Sequence, residues 1–420
     1  MAWIKNKKDL ALTPERKVAL SLVEAAFEAI ETKKVIRKNF KIKGNELVIK
    51  NKKFNLKKFK KISVIGFGKV SCLAALEIEN ILGKKISQGV VIGETQTKCE
   101  IIKTYAGTHP LPSRKNFLIT KDLIKIASGA SKDDLVIVVV SGGGSALLCW
   151  PETECSLGKK LYLDSIKSDI PIEELNILRK HLSGLKGGGL AKILYPATVV
   201  SLIFCDVPSN RFEMVASGPT YYDSTTIKDA EKIAKKYNFK GYSFNETPKE
   251  NIYFKKVFNI PLLSNLDALN GMKKKANELG LRAKILSSDI SRKQDQAVKI
   301  FSSVNFRGVI LAGGEPEAAV PKNHGKGGRN QELTLKMLSK LKDKEVFISF
   351  GSDGWDNSPA AGAIADALTL KKAEKLKLNP NDFARHFDAF NFFKKTGDLI
   401  ITGKTNENVS DLMILLKKVN

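Results

Sequence analysis

A recurring unit constrains the fold of this chain more than any other feature of its sequence. The unit is a short β-rich apolar run, then a glycine or acidic turn, then a helical segment. It appears first as "KISVIGFGKVSCLAALEIENIL", "QGVVIGE", "DLVIVVVSGGGSALL" and "TVVSLIFCDVP", and later as "AKILSSD", "RGVILAGGE", "EVFISFGSDG" and "GDLIITG". Strands that alternate with helices predict an α/β fold with a largely parallel sheet, whose ligands bind beyond the carboxyl ends of the strands.

The two series of units are separated by a stretch of different character. "KYNFKGYSFNETPKENIYF" loses both apolar periods and gains Asn, Gly, Pro and aromatic residues. We therefore predict an N-terminal α/β domain over residues 1–236, a linker over 237–254 and a C-terminal α/β domain over 255–420. Ahead of the first unit, "TPER" predicts one helix from Thr13 to about Ile36, and Gly44-Asn45 predicts a β-hairpin.

Composition narrows the class of protein. The net charge is +26, but the lysines are spread along the chain and no nucleic-acid-binding signature is present, so a solvated lysine-rich surface is favoured and no nucleic-acid partner is expected. The charge could also steer an anionic small substrate. No apolar run approaches the roughly 18 residues of a membrane span, and we expect a soluble protein with no membrane partner. Five cysteines without a CxxC pair argue against a disulfide framework and favour a reducing cytoplasm.

The triple glycine after the third strand is a candidate anion site. In "VIVVVSGGGSALL" an apolar strand enters Gly142, Gly143 and Gly144 and then a helix-forming sequence. Backbone amides and a helix dipole at such a turn bind phosphate, and the hydroxyls of Ser141 and Ser145 could add contacts. The alternative is a tight structural turn, which rarely needs three consecutive glycines.

A second glycine turn, "VIGFGKVS", is a weaker signal. It resembles the start of a dinucleotide fingerprint, but Ser71 stands at the third glycine position and Glu94, the nearest acidic strand-end residue, lies too far along. Lys69 is either a cation at the mouth of this turn or one surface lysine among many.

The segment "NILRKHLSGLKGGGLAK" predicts a helix that ends in glycines. Arg179, Lys180, His181 and Lys186 lie near that end. A glycine-capped basic helix is a common surface feature, and a lone histidine is more often structural than catalytic. Lys186 is included among the candidate phosphate-binding residues.

Aspartates follow two of the apolar strands. Asp206 comes directly after "LIFC", and Asp353 follows "FISFGS" with Asp356 close behind. A carboxylate at the carboxyl end of a strand can ligate Mg²⁺ or accept a proton from a substrate hydroxyl. The alternative is that each aspartate caps the next helix.

The stretch "GKGGRNQE" is unusually rich in binding groups for a helix start. Arg329 offers a bidentate fork for a carboxylate or a phosphate. Asn330 and Glu332 could be ordinary capping groups. Capping, however, does not require Lys326, two adjacent glycines and an arginine.

Seven motifs in a fixed order then give a resemblance that covers nearly the whole chain. They are "SGGGSALL", "LRKHLSGLKGGGLA", "DV" with "ASGPT", "GGE", "GKGGRNQE", "GSDGWD" with "AAGAIAD", and "TGDLIITG" with "NVSDL". The chain resembles the glycerate 2-kinase family, the class II glycerate kinases of the MOFRL type, some of whose members carry the name hydroxypyruvate reductase. The resemblance implies a Rossmann-like N-terminal domain, a MOFRL-type α/β C-terminal domain, an active site in the cleft between them, and Mg-ATP-dependent phosphorylation of D-glycerate at its 2-hydroxyl.

The resemblance also assigns residues. The family's catalytic lysine, strand-end aspartate and arginine fall on Lys69, Asp206 and Arg329. Lys69 and the Gly142–Ser145 turn are expected to contact the phosphates, and Arg329 the glycerate carboxylate or the transferring phosphoryl group, with Asn330 and Lys69 near the substrate. Asp206 is expected to receive the hydroxyl proton or to bind magnesium.

Glu315 and Asp353 are further candidate ligands for the metal or the ribose. We expect a monomer or a homodimer.

Three departures from the family pattern stand out. Pro208-Ser209-Asn210 replace a "GD" pair, Pro316-Glu317 replace Thr-Val, and "TGKTNENV", which includes Lys404–Asn408, replaces "TGPTGTNV". They could mark a divergent subgroup, an altered substrate preference or a changed nucleotide contact. Because Lys69, Asp206 and Arg329 are all present, retained activity is favoured.

An NAD(P)H-dependent hydroxypyruvate reductase is the alternative function. The "GFGKVS" turn motivates it, whereas the missing third glycine and the distant Glu94 count against it. Loss of NADH absorbance on addition of hydroxypyruvate would support it.

Overall fold

The structure is a computed structural model that describes residues 2–207 and 211–417. The helices are α1 (Lys7–Leu10), α2 (Pro14–Ile30), α3 (Thr32–Asn39), α4 (Ser71–Leu82), α5 (Arg114–Ser128), α6 (Gly144–Leu147), α7 (Glu152–Ile166), α8 (Ile172–Leu182), α9 (Gly189–Leu194), α10 (Ile227–Lys236), α11 (Asn265–Glu278), α12 (Gln294–Ser303), α13 (Arg329–Leu338), α14 (Ala367–Lys375), α15 (Pro380–Arg385) and α16 (Ala389–Thr396). The strands are β1 (Phe40–Lys43), β2 (Glu46–Ile49), β3 (Lys52–Asn55), β4 (Lys61–Phe67), β5 (Gln88–Gly93), β6 (Ile102–Ala106), β7 (Asp134–Ser141), β8 (Thr198–Phe204), β9 (Val257–Leu263), β10 (Ala283–Ser287), β11 (Gly308–Gly314), β12 (Val346–Gly351), β13 (Gly362–Ala365), β14 (Leu399–Ile400) and β15 (Asp411–Lys417).

The chain forms two compact units, and each is discontinuous in sequence. The parallel-sheet unit comprises residues 32–205 and 211–262, and the mixed-sheet unit comprises residues 2–31, 206–207 and 263–417. The prediction of two α/β domains is therefore confirmed, whereas the chain segments that build them differ from the predicted ranges.

The parallel-sheet unit is built on a six-stranded sheet in the order β6-β5-β4-β7-β8-β9. The pairs from β6 to β8 are parallel, as the alternation of strands and helices predicts. Every residue of β7 is buried, which explains why its sequence is a continuous apolar run rather than an alternating one. The predicted hairpin at Gly44-Asn45 is confirmed by the antiparallel pairing of β1 with β2.

The mixed-sheet unit contains a six-stranded sheet in the order β10-β11-β15-β12-β13-β14. Only β10 and β11 pair in parallel, and β15 runs antiparallel to both of its neighbours. One apolar core joins this sheet to α12 and α13 through Phe301, Met337 and Phe347, and a second joins it to α13 and α16 through Leu338 and Phe392.

The predicted domain boundary at the N-terminal end is wrong. The α2 helix belongs to the mixed-sheet unit, because the guanidinium of the fully buried Arg16 pairs with Asp366 at 2.6 Å and with Asp398 at 2.7 Å. On the same helix, the ring of Phe27 contacts that of Phe350 on β12 at a centroid distance of 5.4 Å. These partners are more than 300 residues away in sequence.

The predicted linker is part of the parallel-sheet unit. The Tyr242 hydroxyl donates a hydrogen bond to Asp164 at 2.7 Å, and the Asn245 backbone N–H donates to the His181 carbonyl at 2.7 Å. The following residues form β9, which completes the sheet beside β8. Residues 237–254 therefore pack against α7 and α8 instead of connecting two domains.

The helix predicted ahead of the first strand also needs correction. The single helix predicted from Thr13 to Ile36 is divided at Glu31, whose ψ of 111° is not helical, into α2 and α3. Thr13 nevertheless caps α2 as predicted, since its side chain accepts the Arg16 N–H.

Disulfide bonding was not expected, but Cys149 and Cys155 form a disulfide with their Cα atoms 6.0 Å apart. The turn at Trp150-Pro151 reverses the chain and brings α7 back beside Cys149. Cys72, Cys99 and Cys205 form no disulfide.

Among the described residues, no helix is both long enough and apolar enough to cross a membrane.

Candidate functional site

The triple-glycine turn after β7 is the first part of the candidate site. Gly143 has φ of +78°, a conformation that favours glycine, and the Lys69 backbone N–H donates to the Gly142 carbonyl at 2.8 Å. A Cβ on Gly144 would lie 2.6 Å from the Ala216 Cβ, so glycine is also required there for packing. The helix that follows, α6, has four residues, so the predicted contribution of a helix dipole is not available. Anion binding at this turn would depend on backbone amides and side chains alone.

The two serines that flank the turn have different environments. Ser141 is buried, and its Oγ accepts the Val70 N–H at 3.3 Å and lies 3.1 Å from the Ser71 Oγ. It joins the two glycine turns to each other. Ser145, by contrast, lies with its Oγ 2.9 Å from the Ser217 Oγ, beside the "ASGPT" segment.

The structure brings Lys69 to the triple glycine. A Cβ on Gly143 would lie 3.1 Å from the Lys69 Cγ and 3.1 Å from the His109 Cδ2, so both side chains pack over this turn. The His109 Nδ1 lies 2.8 Å from a carboxylate oxygen of Glu94. Because these residues follow β4, β5 and β6, the carboxyl ends of three neighbouring strands meet at the turn after β7.

The "ASGPT" segment is held in an uncommon conformation. Ala216, Ser217 and Gly218 have φ of +52°, +60° and +64°, and two of them are not glycine. The amides of Gly187 and Gly188 donate to the carbonyls of Ser217 and Gly218 at 3.0 and 2.9 Å. Such strained backbone is found most often at functional sites. Three sequence motifs therefore converge here.

The Lys186 ammonium is not available to a ligand at this cluster. Its side chain is 2% exposed, its Nζ donates to the Leu148 carbonyl at 3.0 Å, and it pairs with the Glu154 carboxylate. Burial raises the pKa of Glu154, and the Lys186 ammonium opposes that shift. The contact of Lys186 with phosphate therefore stays a prediction, and in this structure its ammonium is buried and paired with Glu154.

Arg329 is the centre of a second cluster, in the mixed-sheet unit. It is the first residue of α13, its Nη1 lies 3.1 Å from a carboxylate oxygen of Glu315, and its Nε donates to Asp411. Glu315 directly follows β11, and Asp411 is the first residue of β15. The Arg329 side chain remains 38% exposed, so it can accept a further anionic partner.

The charges in this cluster are strongly coupled. Although burial opposes the charged guanidinium, Asp411 and Glu315 raise the pKa of Arg329. Desolvation raises the pKa of Glu315 to about 7; Arg329 opposes this shift, while the charges of Asp411 and Asp206 add to it. The pKa of Glu315 is thus raised by its neighbouring carboxylates and by desolvation, and a nearby cation would favour its ionised form.

Most of "GKGGRNQE" has a structural role. Asp356 accepts the backbone N–H groups of Asn330 and Gln331 at 3.1 and 2.9 Å, so it caps α13 in place of the residues predicted to do so. A Cβ on Gly328 would lie 2.1 Å from the Asp356 Oδ1. Asn330 is 2% exposed and accepts the Ser349 hydroxyl at 2.6 Å. The contact of Asn330 with substrate stays a prediction, and in this structure its amide is buried and hydrogen-bonded within the unit.

The predicted metal ligands form no closed cage. Among residues 2–207 and 211–417, no group of three or more acidic, histidine or cysteine side chains could hold a metal ion. Asp206 accepts the Asn408 amide at 3.3 Å, and Asp353 accepts the Trp355 N–H at 3.0 Å. Asp206 acts on the pKa of Glu315, which places two carboxylates in the same electrostatic environment. This arrangement fits Mg²⁺ held by one or two carboxylates together with substrate phosphates.

The three segments that depart from the family pattern differ in their structural surroundings. Pro208-Ser209-Asn210 lie outside the described residues. Glu317 exchanges backbone hydrogen bonds with Arg292 and Gln294 at 3.1 and 3.0 Å, so the Pro316-Glu317 pair lies beside the start of α12. Within Lys404–Asn408, the Asn408 amide contacts Asp206.

Several residues of these clusters were not predicted. Asp411 was part of the "NVSDL" motif, where an acidic residue at the start of an apolar run was the available signal. Ser217 was part of "ASGPT", and Asn176 opened the basic-helix segment. His109 had no signal beyond its position after a strand.

Comparison with known proteins gives consistent matches. Residues 18–247 match the family described as a domain of unknown function, DUF4147, and residues 308–411 match the MOFRL family. A glycerate 2-kinase from Pyrococcus horikoshii is 32% identical over 96% of this chain and 97% of that protein. A D-glycerate 2-kinase from Thermotoga maritima is 32% identical over 95% of this chain and 97% of its own length. The crystal structure of a glycerate kinase from Thermotoga maritima matches with a TM-score of 0.83 and 29% identity over 96% of this chain and 99% of that one.

Proposed function

The chain belongs to the glycerate kinase family, and on this premise we propose that it transfers the γ-phosphoryl group of ATP to the 2-hydroxyl of D-glycerate. The products are 2-phosphoglycerate and ADP. The position of Lys69 over the triple-glycine turn carries the proposal, because it combines a compact cation with backbone that a phosphate can approach closely. Phosphoryl transfer requires positioning and charge neutralisation of this kind more than covalent catalysis.

Lys69 and the Gly142–Ser145 turn are the groups that we assign to the nucleotide phosphates. Gly143 has no side chain to obstruct a phosphate, and the Ser145 hydroxyl lies at the same turn. His109 packs beside Lys69 and is oriented by Glu94, so it is close enough to limit where a phosphate can lie.

Arg329 is the group that we assign to the glycerate carboxylate or to the transferring phosphoryl group. Two carboxylates hold its guanidinium in place from one side, while more than a third of its side chain stays exposed. A held and partly exposed guanidinium binds an oxyanion with little loss of side-chain entropy.

Asp206 is the group that we assign to the reacting hydroxyl. In the transfer step, the 2-hydroxyl oxygen forms a bond to the γ-phosphorus, and the bond from that phosphorus to the bridging oxygen of ADP breaks. The hydroxyl proton passes to the Asp206 carboxylate, which the Asn408 amide orients. Both its position after strand β8 and the family motif indicate Asp206 as the proton acceptor.

Asp206 and Glu315 are also the side chains that would hold Mg²⁺, with Asp353 as a further candidate. When bound with the nucleotide, the ion neutralises charge on the phosphate oxygens. Glu315 would then be ionised, because a nearby cation offsets the neighbouring carboxylates that raise its pKa.

The test is to identify the product of D-glycerate and ATP by phosphorus NMR, with and without Mg²⁺. We expect the 2-phosphoglycerate resonance together with ADP, and 3-phosphoglycerate instead would overturn the assigned position of transfer. The K69M variant should lose most of the rate, while K84M, a lysine at the end of α4, should keep it. Absence of any phosphoglycerate from wild-type protein would refute the proposal. Oxidation of NADH by hydroxypyruvate would favour the reductase instead.

A further inference from the structure

Arg179 lies near the triple-glycine turn of the parallel-sheet unit, and it is not among the residues assigned to the proposed reaction. Its Nη1 donates to the Asn176 Oδ1 at 3.2 Å, one turn earlier on α8. The Ser217 hydroxyl donates to that same oxygen at 3.1 Å, and the Ser217 Oγ lies 2.9 Å from the Ser145 Oγ. One amide oxygen and one hydroxyl therefore separate the guanidinium from the triple-glycine turn.

The charge of Arg179 has no carboxylate partner within the described ranges. On the same helix, Glu173 pairs with Arg211 at 2.7 Å and Glu174 pairs with Lys236 at 2.8 Å. Burial without such a partner lowers the pKa of Arg179 to about 10. The fully buried Arg16 and the partly buried Arg329, by contrast, each contact two carboxylates.

An uncompensated and partly buried guanidinium is costly in free energy, because part of its hydration is lost and no anion replaces it. The backbone beside it is strained as well, since Ala216 and Ser217 have positive φ and Ser217 is fully buried. Both features are accounted for if a ligand supplies the missing negative charge at this place.

We propose that Arg179 binds an oxyanion of a substrate, together with Ser145, whose hydroxyl is positioned by the fully buried Ser217. The inference rests on the proposed function, which supplies two candidate oxyanions: a phosphate group of the nucleotide and the carboxylate of the hydroxy acid. The guanidinium offers both of them a charged donor on the α8 side of the glycine turn, where neither Lys69 nor Arg329 was assigned.

A structural role is the main alternative. Arg179 lies in the last turn of α8, where a positive charge interacts favourably with the helix dipole. In that case its removal would weaken the fold. An anion-binding role predicts the opposite, because removing an uncompensated and partly buried charge relieves a desolvation penalty in the free protein.

The experiment compares the melting temperatures of wild type, R179M and R179K with those of R114M, which removes an arginine that is 81% exposed on α5 of the same unit. Each protein is heated alone, with sodium tripolyphosphate and with D-glycerate. The KM values for ATP and D-glycerate are measured in parallel.

For R179M we expect an unchanged or higher melting temperature without ligand, and a loss of the stabilisation that one of the two anions gives to wild type. The KM for the corresponding substrate should rise by about tenfold to a hundredfold, with a smaller change in kcat. Loss of the tripolyphosphate effect assigns Arg179 to the nucleotide phosphates, and loss of the D-glycerate effect assigns it to the substrate carboxylate. R114M should match wild type.

The inference is overturned if R179M binds both anions as wild type does, whether or not its melting temperature falls. If R179M does not fold, R179K is decisive, because it keeps the charge and loses the planar fork; unchanged anion effects and KM values would then refute the proposal. The melting experiment does not depend on turnover. A wild-type protein that is stabilised through Arg179 but forms no phosphoglycerate would therefore refute the proposed function and leave this inference intact.

Discussion

The Asp356 carboxylate accepts the Gln331 backbone N–H at 2.9 Å and thereby caps α13 from a position 25 residues further along the chain. It occupies the space that a side chain at Gly328 would need, since a Cβ there would lie 2.1 Å from the Asp356 Oδ1. Gly328 itself has φ of −121°, which any residue can adopt. Glycine is thus required at this position for space rather than for backbone conformation.

G328A should destabilise the protein by about 1–3 kcal/mol, because the added methyl group must displace the capping carboxylate. Urea unfolding is the measurement, and G158A is the control, since alanine within helix α7 meets nothing closer than 3.3 Å. The double variant G328A/D356A should lose less than the sum of the two single variants. Strict additivity would show that the clash with Asp356 is not the cause.

R329M should lower kcat/KM for glycerate phosphorylation by about 3 kcal/mol or more, since it removes a charged and partly buried contact. R329K should recover only part of the loss, because a lysine cannot contact Glu315 and Asp411 as a fork. Steady-state kinetics test this, with R385M as the control at an arginine that is 74% exposed. Near wild-type turnover in R329M would show that Arg329 contacts neither the substrate nor the transferring phosphoryl group.

Glu332 should make the protein less stable as the pH rises. Burial raises the pKa of Glu332 to about 7, Lys336 opposes this shift, and Asp295 adds to it. Its Oε2 is buried without a hydrogen-bond partner among the described residues. Because the folded state then binds more protons than the unfolded state, the free energy of unfolding falls as the pH rises from the unfolded pKa through about 7.

E332Q removes this ionisation. Its stability relative to wild type should therefore increase between pH 5 and pH 8.5 by about 1–3 kcal/mol. Urea unfolding at the two pH values measures the difference. A relative stability that does not change with pH would mean that Glu332 has an ordinary pKa.

R16M should destabilise the mixed-sheet unit by about 3–5 kcal/mol, because Asp366 would be left buried without its cation and Asp398 would lose one of its two cations while keeping Lys372. K17M, at the exposed neighbouring position, should be close to neutral. Hydrogen exchange should detect the loss of protection in α14 and β14, which flank these aspartates. Equal stability of the two variants would contradict the assignment of α2 to this unit.

Much of the fold was predictable because the signals are local. The apolar strands β4, β5, β7 and β8, with their glycine turns, were recognised from short segments. The strand β15 was missed, since a continuous apolar run such as "DLMILLK" has no alternation that separates it from a buried helix. The strand β13 was missed because "GAIA" contains mostly small residues.

The domain boundaries and the partners of the site residues depend on long-range contacts. Arg16 pairs with an aspartate 350 residues away, and nothing near it in sequence indicates that partner. Arg329 was predicted from its motif, but its pairing with Asp411 follows only from β15 lying beside β11. Asn330 and Lys186 were assigned to ligands because sequence patterns give residue types and not their burial.

The position of β15 has a consequence for the order in which the units can form during synthesis. The parallel-sheet unit has all of its strands once the ribosome has added residue 263, so its sheet can assemble while the remaining chain is still being made. The other sheet lacks a middle strand until residues 411–417 emerge, although its helix α2 can pack earlier against α11, where Gly271 lies against Ala25 and Ala29. The second unit is therefore the one whose apolar strands stay incompletely paired for longer while the polypeptide is nascent.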